Sequence, residues 1–203
     1  RFLVRPLAKR QDLRFDGLFI LASFAMNIWD PLDNYFVFAF QYNANFWNIG
    51  SWGGFIPGWQ SAEPELWAVP IAFIFGCYTW SWFAAVRIGS FIIARLRILR
   101  PTWPAWARYA IVYAAVAAQA AISEIVFMRL GNWTYPTTVQ GFTLWSGQYA
   151  WPWFNPLIYG LTWTVMVWLR ESSRADASGL SSVERGVVRI SQSTWQRLGL
   201  RFL

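Results

Sequence analysis

The sequence contains no histidine and a single cysteine, Cys77, which lies inside an apolar run. The first absence excludes a Ser-His-Asp triad, a histidine general base and any histidine-ligated metal. The second excludes an intrachain disulfide framework and a cysteine-based zinc site. Acid–base chemistry is left to Asp, Glu, Tyr, Lys or water. Charge is also scarce: 13% of the 203 residues are charged, against about 25% in soluble domains. No Lys or Arg lies between Arg14 and Arg87, and none lies between Arg129 and Arg170. No P-loop, nucleotide fingerprint or signal peptide is visible. The chain begins at Arg1 without a methionine and ends on Arg-Phe-Leu, the start of another apolar run. Both ends therefore read as cuts, each with room for a further spanning helix.

What is abundant is apolar and aromatic: 56% of the residues are hydrophobic, and 16 are tryptophan. The net charge of +7 could suggest nucleic acid, but the cations fall in three blocks rather than along a stripe. The blocks are residues 1–14, 87–108 and 170–201, with Arg129 as the lone exception. Four apolar runs alternate with them, at about 15–32, 67–97, 109–128 and 151–169. A spanning helix needs about 20 such residues. The reading is one membrane-embedded domain over 1–203, an all-α polytopic transmembrane bundle with at least four visible spans. YFVFAF (35–40) has the composition of a re-entrant half helix. The positive-inside rule puts both observed ends in the cytoplasm of a multi-pass cell-membrane protein. Segments 33–66 and 130–150 then meet on the outer side. That topology gathers Asp30, Asp33, Glu63, Glu65 and Glu124.

The stretch Asn27–Trp52 is polar yet fused to an apolar run, which is costly in a membrane unless it lines a cavity or a protein interior. It carries Asp30, Asp33, Asn27, Asn34, Asn43, Asn45, Asn48 and Gln41 among aromatics, with no cation. Asp30 and Asp33 would share a face on a continued helix, and Pro31 disturbs that continuation. They read either as interfacial capping acids or as acids with a raised pKa, able to donate a proton. As a D-x-x-D pair they could hold Mg²⁺ and a diphosphate, but the outer segments have almost no Lys or Arg to support one. Glu124 sits near the end of an apolar helix. It pairs locally with Arg129 or faces the same cavity as Asp30. Glu63 and Glu65 suit solvent or the N-terminus of the next helix, and Gln119 suits a helix–helix hydrogen bond. An interfacial belt accounts for Trp67, Trp103, Trp106 and Trp168. It does not account for Trp29, Trp47, Trp52, Trp59, Trp133, Trp145, Trp151 and Trp153, which crowd the outer loops. Indole faces stabilise cations by about 2 kcal/mol or more when desolvated. A cavity of indoles with a few acids suits a carbocation or oxocarbenium reaction.

The succession DPLDNY (30–35), QYNANFWNIGSW (41–52), PGW (57–59), Glu124 followed by RLGNWTYP (129–136), and LWSGQY (144–149) resembles the AveC-like spirocyclase family. Those are polytopic actinobacterial membrane proteins of polyketide biosynthesis. The likeness covers most of 27–170 and implies an acid-catalysed intramolecular cyclisation of a hydrophobic natural product, without a redox cofactor. One departure falls in WPWFNP (151–156), where Asn155 stands in a region that is acidic in the family. The tryptophan load is similar instead to what a membrane terpene cyclase of farnesylated indole diketopiperazines would need.

The resulting expectation is a cyclase that protonates a terminal alkene, with Asp30 or Glu124 as the acid and Asp33 and Glu65 nearby. Asn27, Asn34, Tyr35, Asn43, Trp52, Trp133, Tyr135, Trp145 and Tyr149 are the expected substrate-binding residues. No metal or other cofactor is expected; the partners are a hydrophobic small molecule and the lipid bilayer, not nucleic acid. A spiroketal-forming cyclase or dehydratase is the alternative enzyme. A lipid or proton-coupled carrier is the alternative of another class, although the 27–52 pattern does not recur as a transporter's inverted repeat would.

Overall fold

A computed structural model describes residues 2–9, 11–48, 50, 52–62, 69–186 and 193–202. The chain is mostly helical. Helix α1 (Val4–Ala8) precedes α2 (Phe15–Trp29), which carries Asp16 in its first turn. Pro31 has no amide to continue the α-helical ladder, and the chain tightens into a 3-10 helix over Asp30–Asn34. After a long loop, α3 (Ile71–Phe73) passes into a π-helical segment (Ile74–Ser81) and then α4 (Trp82–Leu99) without a break. Pro101 and Pro104 end that rod and start α5 (Ala105–Arg129), and α6 (Asn155–Ala175) and α7 (Thr194–Phe202) follow.

The core lies between α2, α4, α5 and α6, built from Phe19, Phe83, Val86, Ile93, Val112, Val116, Trp163 and Val167. Two glycines set the helix spacing. A Cβ on Gly89 would stand 2.5 Å from Val167 Cγ2, and one on Gly160 would stand 2.7 Å from Ala117 Cβ. Ion pairs tie the helices together at one end. Arg170 on α6 donates to Asp16 on α2 at 2.6 and 3.0 Å, and Arg97 on α4 donates to Glu171 at 2.6 Å. The loops gather at the other end. There β1 (Gln41–Tyr42) pairs antiparallel with β2 (Trp133–Thr134), and β3 (Thr143–Leu144) with β4 (Trp151–Pro152).

The expected four-span bundle is not seen. Among the described residues one helix, α5, is long and apolar enough to cross a membrane, and 33% of its most apolar window is buried. Each of the other runs is interrupted. Helix α2 stops after 15 residues, at Trp29. The 67–97 run begins outside the described residues, changes to π geometry, and carries Arg87, Arg95 and Arg97 in α4. In the fourth run Trp151–Pro152 is a strand, so α6 starts only at Asn155 and ends through Arg170, Glu171 and Arg174. The re-entrant half helix is also absent: Tyr35–Phe40 bends and then extends. Asn34 Oδ1 accepts the amides of Ala39 at 2.8 Å and Phe40 at 3.1 Å, which holds the segment out of helical geometry.

Candidate active site

The end of α2, the π-helical segment, the last turns of α5 and the first turns of α6 converge on one cavity. Counted with the open solvent at its mouth, the space there amounts to about 610 Å³. The β1–β2 ribbon closes one side, and its placement begins at the end of α5. Gly131 adopts φ +74°, the amide of Asn132 bonds back to Phe127 O at 3.0 Å, and that of Gly131 to Met128 O at 3.0 Å. This paired closure is a Schellman motif, which favours glycine at the left-handed position. It turns the chain so that Trp133 lies opposite Tyr42 in the ribbon. Asn43 extends the pairing, with its amide on Asn132 O at 2.9 Å and Nδ2 on Gly131 O at 2.8 Å.

Two carboxylates serve the cavity in different ways. Asp30, 4% exposed, stands behind the wall rather than on it. Tyr42 and Tyr78 form the wall. Tyr42 donates its hydroxyl to both Asp30 oxygens at 3.1 and 3.0 Å, and Tyr78 donates to Oδ1. Burial pushes the Asp30 carboxyl from its ordinary 3.8 up to about 6, against the pull of the Tyr78 and Tyr42 hydrogen bonds; the Asp33 charge adds to the rise. Asp33 lines the cavity with an exposed side chain. Glu124, 8% exposed, lines the cavity directly. It accepts the Trp151 indole at 2.8 Å and the Tyr135 hydroxyl at 3.1 Å, while Asn155 Nδ2 donates to Tyr135 Oη at 3.4 Å. Burial raises Glu124, and hydrogen bonds from Trp151, Tyr135 and Asn155 oppose the rise. Cys77 lines the same space, and burial pushes its thiol up to about 12, which removes it as a thiolate nucleophile near neutral pH.

The remaining wall is aromatic. Tyr78 packs edge-on against Trp82 at 5.6 Å, Trp82 against Trp163 at 6.2 Å, and Phe73 against Trp133 at 5.2 Å. Among the described residues, no Lys or Arg lines the cavity. The arrangement can deliver a proton on one side, accept one on the other, and surround a cation with ring faces between them.

Of the residues expected at the site, Asp33, Glu124, Trp133 and Tyr135 line the cavity, and Asp30 supports it from behind. Asn34 and Tyr35 instead fasten the neighbouring loop. Tyr35 donates to Pro57 O at 3.0 Å, and its carbonyl accepts the Gln60 amide at 3.0 Å. Asn43 fixes the ribbon, and Trp52 is half-buried outside the cavity. Trp145 and Tyr149 belong to the outer loop, where Arg129 lies over their rings at 4.9 and 4.3 Å. Arg129 therefore pairs with aromatics, and Glu124 makes no ion pair with any described residue. The expected bond of Gln119 is not formed: its Oε1 is buried without a partner among the described residues. Glu63 and Glu65 lie outside the described residues, as does the side chain of Asn27. Sequence reasoning missed Tyr42, Tyr78, Trp82, Tyr159 and Trp163. The spacings Tyr78–Trp82 and Tyr159–Trp163, each four apart, were the available signal.

The fold and the site define a helical protein whose carboxylates serve an aromatic cavity with an open mouth. The family model described as Spirocyclase AveC-like matches residues 10–203. The chain belongs to that family, and membership implies an enzyme that catalyses cyclisation. No curated protein and no solved structure matched the chain.

Proposed function

We propose that the protein is a protonation-initiated cyclase of a prenylated, hydrophobic natural-product precursor. The observation that carries this reading is the separation of Asp30 from Glu124 by a wall of tyrosine, tryptophan and phenylalanine rings. When Asp30 is protonated, one of its two tyrosine hydrogen bonds must reverse. The carboxyl O–H then donates to a tyrosine oxygen, and that tyrosine's own O–H is free to turn into the cavity. The terminal alkene takes this proton and becomes a tertiary cation, while Asp30 re-protonates the tyrosine. An internal alkene attacks the cation, a carbon–carbon bond forms, and the positive charge moves along the chain past the ring faces. Glu124, a carboxylate made more basic by burial, takes the final proton. The net change is an isomerisation. The apolar outer side chains of α5 and α6, such as Ile122, Leu161 and Val165, support a location in contact with lipid, from which such a substrate would enter.

A second reading, spiroketal formation, is favoured by the family itself and by the same acids. Here Asp30 would protonate a ketone or hydroxyl, and one water would leave. Incubating the purified protein with a farnesylated indole and with a dihydroxyketone separates the two. An isomer of unchanged mass from the first supports the terpene reading; loss of one water from the second supports the spiroketal. Conversion of neither, or full activity in Asp30→Asn, would sink the proposed mechanism.

A further inference from the structure

We propose that Tyr159 and Trp163 form a donor pair that anchors a neutral carbonyl oxygen of the substrate. Both line the cavity from one face of α6, one turn apart, with their rings stacked at 6.1 Å and 26°. The other tyrosine hydroxyls of the wall are engaged: Tyr42 and Tyr78 on Asp30, and Tyr135 on Glu124. Tyr159 makes no hydrogen bond with any described residue, and Trp163 Nε1 is buried without a partner although the side chain is only 3% exposed. A buried indole N–H left unmatched is destabilising, and it can only donate. Burial and the Glu124, Asp33 and Asp30 carboxylates around it hold the Tyr159 proton on, so its hydroxyl can donate beside the indole; it can also accept, and the demand for an acceptor comes from Trp163. Ser81 and Ser123 also line the cavity, but their hydroxyls rotate and both donate and accept, so they select no ligand type.

An indole N–H that can only donate, with a tyrosine hydroxyl able to donate beside it, calls for an oxygen acceptor on the ligand. The surrounding carboxylates repel an anionic one, and none of the described residues lining the cavity is a cation to offset that repulsion. A ketone or amide carbonyl fits where a carboxylate or phosphate does not. The inference rests on the cyclase reading and adds to it. The substrate is a prenyl chain joined to a carbonyl-bearing head, and α6 holds the head while the chain faces Asp30.

The test is a binding titration on the purified protein with two non-ionisable probes. One is a prenylated indole bearing a ketone on the indole side; the other is its methylene analogue. The wild type should bind the ketone about two- to tenfold more tightly, the range expected for a net hydrogen bond. Tyr159→Phe, which keeps the ring, should weaken ketone binding by a similar factor and leave the analogue unchanged; Trp163→Phe, which leaves a smaller ring without the N–H, should reduce the preference for the ketone over the analogue. Equal binding of both probes by the wild type, or binding of neither, overturns the anchor and needs no variant to be stable. So does a variant that weakens both probes alike. Turnover is read separately. Failure to convert either probe with the preference intact counts against the cyclase reading and leaves the anchor standing.

Discussion

Asp30 carries opposite demands for stability and for chemistry. Its folded pKa, about 6 against an ordinary 3.8, means that the folded chain holds this proton more tightly than the unfolded one. The resulting stability is complete below pH 3.8 and is lost as pH rises through about 6. Asp30→Asn stays neutral throughout, so above pH 7 it should melt higher than the wild type, by on the order of 3 kcal/mol at 1.36 kcal/mol per pH unit. The same variant should lose between about 10²- and 10⁴-fold in turnover, the range of a general acid. Wild-type turnover should fall about tenfold per pH unit above 6, which a pH–rate profile will show. A variant that melts lower and still turns over would contradict both expectations. Asp30 and Glu124 were legible in the sequence because a carboxylate in an apolar run has few bland explanations. Tyr42, Tyr78 and Tyr159 were not, since a tyrosine in an apolar run is ordinary until its hydroxyl finds, or lacks, a partner.

At the scale of elements, the site depends on how α5 ends. Gly131 at φ +74° closes that helix and aims β2 at β1, so Trp133 and Tyr135 take their places through one backbone conformation. Gly131→Ala should cost about 1 kcal/mol of stability. It should reduce turnover further than its melting temperature alone accounts for, because Tyr135 steadies Glu124. Parallel thermal melts and rate measurements will check this. RLGNWTYP advertised that turn in the sequence. The ends of α2 and α6 were less legible. Asn34, a side chain, takes two amides that hydropathy would assign to a helix, and the Trp151–Pro152 strand uses residues that read as the start of a span.

Across the whole molecule, the four spans that the cation blocks suggested are not seen, and the two ends of the helices differ in what they hold. Ion pairs occupy one end and the cavity the other. Arg170, with a side chain 7% exposed, holds Asp16 across α2 and α6. Arg170→Met would leave that carboxylate, among the described residues, with Arg87 alone at 3.3 Å, and should cost about 3 kcal/mol. Its melting temperature should drop while the pH–rate profile keeps its midpoint, since Asp30 lies at the far end; a shifted midpoint would show that the two ends are coupled. One continuous rod joins those ends. Tyr78 meets Asp30 near its start, Gly89 touches Val167 midway, and Arg97 reaches Glu171 near its finish. The π-helical segment, with its wider turns, sets the angular phase between these three contacts. Deleting Ala84, which does not line the cavity, would rotate one half of the rod against the other by about 100°. The core would keep Gly89 and Arg97 in place, and Tyr78 would swing away from Asp30. Chain length, with no side chain of the cavity altered, is thus a means of switching off the proposed proton supply.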